Sequence, residues 1–594
     1  MLQDAVRLLQ RFYGYPSFRK GQEPIIENLL EGSDTLGVLP TGGGKSICYQ
    51  IPALLSEGTT LVISPLISLM KDQVDALESM GIPAAYINSS LSASEANERL
   101  RKAAQGEYKL LYIAPERLDT GSFQYLMDSI RVPLIAIDEA HCISQWGHDF
   151  RPSYLSIVSF IRKFTRRPVV AAFTATATPE VIRDIAEALS LQDHNVFVNG
   201  FSRENLSFSV VKGADRRDFI TRYLNEHPDA SGIVYAATRK EVDDLHTFLN
   251  RKGFAAGKYH AGLSDVERQQ AQEQFLFDDV RVMVATNAFG MGIDKSNVRF
   301  VLHHNMPKNM EAYYQEAGRA GRDGEESECI LLYSPQDTQL QKFLIEQGEL
   351  SDERKAMEYK KLKSMVDYCH TGRCLQNYIV RYFGEEHDDT CGKCSNCTDE
   401  TEWSDVTEEA QKIFSCIRRM RERFGVSLVA KVLKGSKDRR IMDFRFDELP
   451  TYGLFRNLPE KDISAMINYL AAEGYLLMEG GQYPVVKLTQ RAVTVLAGQE
   501  RVSRRAVKMA SAAQPEPNRE LFEELRRLRK EMSEKAKVPP FIIFQDATLR
   551  EMAENMPTDE SAMLRIKGIG EAKFNKYGRP FMEFIAKYAA AAGE

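Results

Sequence analysis

The sequence predicts a multidomain α/β protein, with two parallel-sheet lobes over residues 1–337 and helical modules after them. Three observations lead there. A strand-like run, Thr35-Leu36-Gly37-Val38, enters a glycine-rich turn and leaves it in a helical pattern. Short apolar runs alternate with helical patterns in two successive series, which is the rhythm of parallel strands joined by crossover helices. The last third changes character: helical patterns, four cysteines between positions 374 and 397, and one hairpin pattern.

Bulk properties agree with this. At 594 residues the chain exceeds a single core, and roughly three to five domains are expected. A hydrophobic content of 43% with 27% charged residues is that of globular protein. A net charge of −6 gives no global basic signal, yet a local groove for nucleic acid remains open. No apolar run approaches membrane-span length, and the amphipathic start MLQDAVRLLQRF lacks a signal-peptide core. The expected location is cytoplasmic. Nine cysteines in a reducing compartment should be buried, catalytic or metal-bound.

The turn after the first strand is Leu39-Pro40-Thr41-Gly42-Gly43-Gly44-Lys45-Ser46. Thr41, Gly42, Gly43 and Gly44 can curl so that successive N–H groups face one hollow at a helix N-terminus, a cradle for phosphates. Lys45 can reach the β- and γ-phosphates and Ser46 can hold Mg²⁺. The generic pattern wants glycine at 39, and this chain has leucine. Upstream, Gln22 offers a donor and an acceptor for the edge of adenine, and Tyr15 or Arg19 could stack on its face; the plainer alternative is a polar-capped helix start. The strand Leu134–Ile137 ends in Asp138-Glu139-Ala140-His141. Asp138 could hold Mg²⁺ through water, Glu139 could polarise an attacking water, and His141 could relay between nucleotide and substrate. Next comes CISQWGHDFRPSY, where Trp146, His148, Phe150 and Arg151 interleave aromatics with basic groups. Such a loop can stack bases and contact phosphates, or it can pack as core. The strand Val169–Phe173 ends in Thr174-Ala175-Thr176-Ala177, whose hydroxyls could join the two regions.

The second series, from about residue 205, has no phosphate loop. It ends in a helix pattern carrying QEAGRAGR, which puts Arg319 and Arg322 at i, i+3 and so on one helix face. Across a cleft they could act as arginine fingers; otherwise they are a salt-bridged face.

In the last third, Cys374 followed by Cys391, Cys394 and Cys397 fits a tetrahedral Zn²⁺ site. An iron–sulfur cluster uses a similar run, but the following Cys-Pro is missing. Residues 405–498 read as helices and then a hairpin, a winged helix. Arg418, Arg419, Arg421, Arg423, Lys434, Lys437, Arg439 and Arg440 could grip duplex phosphates there. Residues 499–517 read as a linker. In the final helical set, the turn Ile566-Lys567-Gly568-Ile569-Gly570 with Lys573 could take a phosphate on its backbone N–H groups.

PTGGGKS, DEAH, TATAT and QEAGRAGRDG, in this order over two half-chains, resemble superfamily-2 helicases. FRKGQ, ISQWGHDFRP and AFGMGIDK narrow the resemblance to RecQ DNA helicases of bacterial type, over essentially the whole chain. Leu39 is then the family's own form. The resemblance implies RecA-like lobes at 1–203 and 204–337, a helical zinc-binding subdomain at 338–404, a winged helix at 405–498 and an HRDC domain at 518–594. It implies ATP, Mg²⁺ and Zn²⁺ as cofactors, with adenine contacts at Tyr15, Arg19 and Gln22. It implies phosphate and Mg²⁺ contacts at Lys45 and Ser46, and catalysis at Asp138 and Glu139. DNA coupling falls to the loop of Trp146, Phe150 and Arg151, and Arg322 becomes the finger with Arg319 beside it. It implies 3′→5′ unwinding of forks, tailed duplexes and junctions by a monomer associated with the nucleoid, in recombination, repair, the SOS response and replication-fork maintenance. Single-strand DNA-binding protein is a candidate partner. The HRDC domain is expected to bind single strands weakly and to be dispensable for unwinding a simple fork. An RNA helicase and an inactive DNA-binding scaffold are the rival readings.

Overall fold

A computed structural model describes residues 1–127, 129–144, 146, 147, 149–191, 195–290, 295–348, 350–386, 390–505 and 519–592. The first lobe holds strands β1 (Thr35–Val38), β2 (Thr60–Ile63), β3 (Ala84–Ile87), β4 (Leu110–Ile113), β5 (Leu134–Ile137), β6 (Val169–Thr174) and β7 (Val196–Val198). They form a seven-stranded sheet in the order β3-β4-β2-β5-β6-β1-β7. Every pairing is parallel; Thr35 lies opposite Ala171 and Leu36 opposite Val196. The second lobe holds β8 (Leu206–Lys212), β9 (Gly232–Tyr235), β10 (Ala256–Tyr259), β11 (Val282–Ala285), β12 (Phe300–His303) and β13 (Ser327–Tyr333). Their order is β10-β11-β9-β12-β13-β8, again all parallel.

These strands read as unbroken apolar runs because helices cover both faces of a parallel sheet. Leu61 and Ile63 pack on one face and Val62 on the other. In the second lobe Ile233 and Tyr235 part from Val234 in the same way. Strand order decides where the chemistry goes. β6 lies between β1 and β5, so the segments after these three strands meet along the carboxyl edge of the sheet, where ligands bind in such folds.

The helices Pro335–Gln347, Asp352–His370 and Leu375–Tyr382 follow β13. They share one continuous apolar cluster with the facing sides of both lobes. Phe383 stacks on Phe201 at 4.4 Å, which fixes this subdomain to the connection between the lobes. The next module has its own core around Phe414, Leu433, Ile467 and Val486. It carries helices Thr407–Arg419, Val426–Lys434 and Glu460–Ala472 and a hairpin of β15 (Leu476–Glu479) and β16 (Val485–Leu488). Its two ends are tied by β14 (Trp403–Asp405) pairing antiparallel with β17 (Ser503–Arg505). Residues 499–505 are therefore folded onto this module and do not begin the linker expected at 499–517; positions 506–518 lie outside the described residues. The last module, from helix Arg519–Ala536 to helix Arg579–Ala592, packs a core of its own.

Candidate active site

The phosphate loop leaves β1 and ends where Gly44 caps the helix Lys45–Leu55. Gly42 and Gly44 have φ of +81° and +77°, a region L side chains rarely adopt. Close neighbours exclude a side chain as well. A Cβ on Gly42 would stand 3.2 Å from Cα of Arg322, and one on Gly44 would meet Gln22 Nε2 at 2.3 Å. Gln22 is 1% exposed. Its amide donates to the carbonyls of Gly43 (3.2 Å) and Gly44 (3.1 Å) and accepts from the Arg19 N–H (2.8 Å). Arg19 also donates to Gly42 O at 2.7 Å and lies 5.8 Å from the Tyr15 ring. Tyr15, Arg19 and Gln22 thus brace the loop in this state. Gln22 would have to exchange its present bonds to read adenine.

Lys45, Asp138 and Glu139 meet at the carboxyl edge. Burial lowers the Lys45 pKa, while Glu139 and Asp138 oppose that shift and Arg322 adds to it. Burial, then Glu139, pushes the Asp138 carboxyl up to about 7. Glu139 adopts φ of 49°, and its N–H donates to Asp138 Oδ1 at 3.0 Å. A buried acid and a half-buried one that repel each other beside a lysine fit a divalent cation bound with a polyphosphate, since the cation relieves the repulsion. Ser46, bonded to Tyr49, opens the same helix. His141 Nδ1 lies 3.0 Å from Thr174 Oγ1 and 3.3 Å from Glu139 Oε2. Burial lowers its pKa, so the contact joins a neutral ring, a hydroxyl and an acid. This places His141 between the acids and the Thr174 strand end.

The arginines differ from the expectation. The helix is Met310–Ala317, and both Arg319 and Arg322 lie in the turns beyond it, so they share no helix face. Gly318 ends the helix and Gly321 has φ of +58°. Arg319 turns into its own lobe, donating to the Gly290 carbonyl and bonding Tyr235. Arg322 instead packs on Gly42 across the cleft. Sequence reading missed Arg203, which donates to carbonyls of both lobes.

Trp146 is 56% exposed and Phe150 half-buried. Arg151 pairs with Asp149 at 3.0 Å and donates to Pro65 O at 3.3 Å. His148 lies outside the described residues, as do Met291–Asp294 of the AFGMGIDK stretch. Two side chains of the Asp352–His370 helix hold the loop from outside. Arg354 donates to Gly147 O at 3.1 Å, and Lys361 donates to Trp146 O at 2.9 Å. The Lys361 ammonium also lies 2.9 Å from Glu311 at the start of the helix that leads to Arg322. No sequence pattern singled out Lys361.

The sulfur atoms of Cys374, Cys391, Cys394 and Cys397 all lie within 4.8 Å of one another, with pairs at 3.9 and 4.0 Å. A tetrahedron with Zn–S bonds of about 2.3 Å has edges of about 3.8 Å, so the four thiols fit Zn²⁺. A hydrogen bond from Cys394 brings the Cys374 thiol down to about 4. Cys48, Cys142, Cys329 and Cys416 are buried singly.

In the last module the turn expected to take a phosphate is covered. Gly570 packs on Gly14 and on the Gln10 carbonyl, and burial lowers Lys573 to about 8. On the second lobe, Arg526 donates to Asp229 O (3.2 Å), Lys530 pairs with Asp279 (3.1 Å) and Arg550 with Glu325 (2.9 Å). The module therefore touches both lobes, and Gly570 of its glycine turn packs on the first. Arg418, Arg419, Arg421 and Arg423 of the preceding module are exposed.

Five families match the chain. They are DEAD/DEAH box helicase (residues 19–185), Helicase conserved C-terminal domain (215–324), RecQ zinc-binding (335–398), RQC domain (400–513) and HRDC domain (518–585). Among curated relatives, a protein of Bacillus subtilis named ATP-dependent DNA helicase RecQ is 53% identical over 590 residues, 99% of each chain. One of the same name from Pasteurella multocida is 40% identical, covering 99% of this chain and 94% of the relative. The RecQ-like DNA helicase BLM of Xenopus laevis is 33% identical, covering 99% of this chain and 46% of the relative. Among the described residues no helix is long and apolar enough to cross a membrane.

Proposed function

Because the chain belongs to the RecQ family of ATP-dependent DNA helicases, we propose that its unwinding cycle runs on the residues gathered between the lobes. The observation that carries this reading is the packing of Arg322 on Gly42, beside a Lys45 that feels Glu139, Asp138 and Arg322 together. The N–H groups of Gly42 to Ser46 and the Lys45 ammonium bind the β- and γ-phosphates. Tyr15, Arg19 and Gln22 take the adenine once the Gln22 amide gives up its loop carbonyls. Ser46 and Asp138 would hold Mg²⁺, which when bound would neutralise charge at the phosphates. Glu139 orients and polarises the attacking water. Arg322 stabilises charge on the transferred phosphoryl group from the opposite lobe, and Arg319 holds the turn that carries it.

DNA enters this scheme through the exposed Trp146 with Phe150, His148 and Arg151. His141 links the acids to Thr174 at the neighbouring strand end. Closing of the lobes on ATP and reopening after hydrolysis move one strand across their upper surface, 3′→5′. The exposed arginines of the RQC module bind duplex phosphates by charge. Forks, tailed duplexes and junctions are the proposed substrates, in recombination and repair. A cytoplasmic, nucleoid-associated monomer that meets single-strand DNA-binding protein completes the proposal.

Strand displacement on forked, 3′-tailed and 5′-tailed duplexes with ATP and Mg²⁺ tests it. Displacement from the 3′ tail and fork is expected; preference for the 5′ tail overturns the polarity. Comparing single-stranded DNA with RNA as ATPase stimulant separates the RNA-helicase rival. Turnover by the parent chain excludes the inactive-scaffold rival.

A further inference from the structure

The chain crosses between the lobes only once before their sheets are complete, from β7 to β8 through residues 199–205. Arg203 sits in this connection and is 8% exposed. Its Nη1 donates to the carbonyl of Thr41 in the phosphate loop and, at 3.4 Å, to Gly318 O. Its Nη2 donates to Ala320 O at 3.2 Å and to Gly321 O at 3.0 Å. One planar fork thus grips the phosphate loop of the first lobe and the arginine-bearing turn of the second. Asn205 holds the far end of the same turn, its amide donating to Gly321 O (2.8 Å) and Glu325 O (2.9 Å).

The placement is electrostatically costly. Burial lowers the Arg203 pKa; Tyr314 and Cys329 oppose the shift, and Arg322 and Arg19 add smaller amounts to it. A buried cation whose bonds, among the described residues, go only to main-chain carbonyls is poorly explained by stability alone. Lysine could not replace it geometrically, because a single ammonium does not span two sets of carbonyls as a guanidinium fork does. Each partner lies next to a functional residue: Thr41 precedes Gly42, and Gly318 to Gly321 lead into Arg322.

We propose that Arg203 is a positioning residue for hydrolysis: it sets Arg322 against the phosphate loop when the lobes meet, without touching the nucleotide. The inference rests on the reading of Arg322 as the finger. A finger misplaced by about 1 Å loses of order 100-fold in rate.

The test uses the full chain carrying R203Q, R203K, R322A or R203Q with R322A. ATP turnover is measured with saturating single-stranded DNA, alongside the thermal unfolding midpoint. R203Q is expected to lower kcat about 10- to 100-fold with KM for ATP within about threefold. R203K, which keeps the buried cation, carries the test if R203Q does not fold; its kcat should fall at least about fivefold by the same misplacement. Once Arg322 is gone, loss of Arg203 should cost under about threefold more, because both act through one group. Multiplicative losses in the double variant, unchanged kcat in R203K, or a rise in KM that accounts for the whole effect would each overturn the inference. Unchanged kcat in R322A alone identifies the finger reading as the failure, and the inference falls with it.

Discussion

Replacing Lys361 by methionine cuts a three-way junction. The ammonium lies 2.9 Å from Trp146 O in the first lobe and 2.9 Å from Glu311 in the second, while its own helix belongs to the zinc-binding subdomain. Lys361 is 9% exposed and Glu311 2%, so this pair lies outside the weak class of surface salt bridges. Removing one member of a buried pair strands the other, at about 3–5 kcal/mol. Among the described residues the Glu311 carboxylate oxygens have no further hydrogen-bond partner to offset this, so about 3–5 kcal/mol is expected for K361M. Adding E311Q neutralises the stranded acid. The double variant should then recover about 1–2 kcal/mol relative to additivity. The functional consequence follows from the Trp146 carbonyl. K361M removes the side chain that ties the aromatic-rich loop, the proposed DNA contact, to the helix leading to Arg322. Basal ATPase should stay within about twofold, while stimulation by single-stranded DNA falls about fivefold, the size of a coupling of roughly 1 kcal/mol. Urea denaturation of the first transition and ATPase with and without DNA read both effects. A stability loss below about 1 kcal/mol with undiminished stimulation refutes the reasoning.

Other perturbations bear on separate parts of the molecule. K45A should cut ATP turnover by about 100-fold or more, as loss of a charge-stabilising donor does elsewhere; turnover equal to the parent removes the site assignment. G42A meets both a φ of +81° and the Arg322 backbone at 3.2 Å. It should cost about 1–2 kcal/mol and lower turnover about tenfold by forcing the lobes apart, measured by melting and ATPase assay. C394S removes a thiol of the proposed Zn²⁺ site that is 0% exposed; Zn²⁺ content by atomic absorption should fall below half, with a lowered melting temperature. Deleting residues 518–594 should leave unwinding of a simple fork and ATPase within about twofold, since that module has its own core; loss of ATPase would show that its contacts with both lobes are required.

The lobes were legible because their strands are buried on both faces. Thr60–Ile63 and Leu134–Ile137 announce themselves as apolar runs, and turns with chemistry follow at their carboxyl ends. The four cysteines that the structure gathers were legible because their spacing is local except for Cys374. The arginine turn was misread, although its sequence held the correction. Gly318 and Gly321 flank Arg319 and Ala320, and glycine past a run of helix formers is a stop signal. Given that weight, the i, i+3 spacing would not have placed both arginines on one face. The Gly568–Gly570 turn was misread for a different reason. Its backbone could face a phosphate or a neighbour, and nothing within the turn reports that Gly14 approaches it.

Arg203 and Lys361 mark a more general boundary. Both join lobes, and both do so largely through main-chain carbonyls: Thr41, Gly318, Ala320 and Gly321 for one, Trp146 for the other. A carbonyl is present at every residue, so it imposes no residue type on the segment that receives the bond. The donor's partner therefore leaves no trace in the partner's sequence. Groups that act on phosphate or metal need particular side chains at particular spacings, and those spacings are short because one turn or one strand end supplies them. Groups that transmit between lobes need only reach, charge and burial, and their bonds to main-chain carbonyls span 115 to 215 residues. In this chain the chemistry could be read along the sequence, whereas the coupling became readable only once β7, β8 and the Asp352–His370 helix were placed in space.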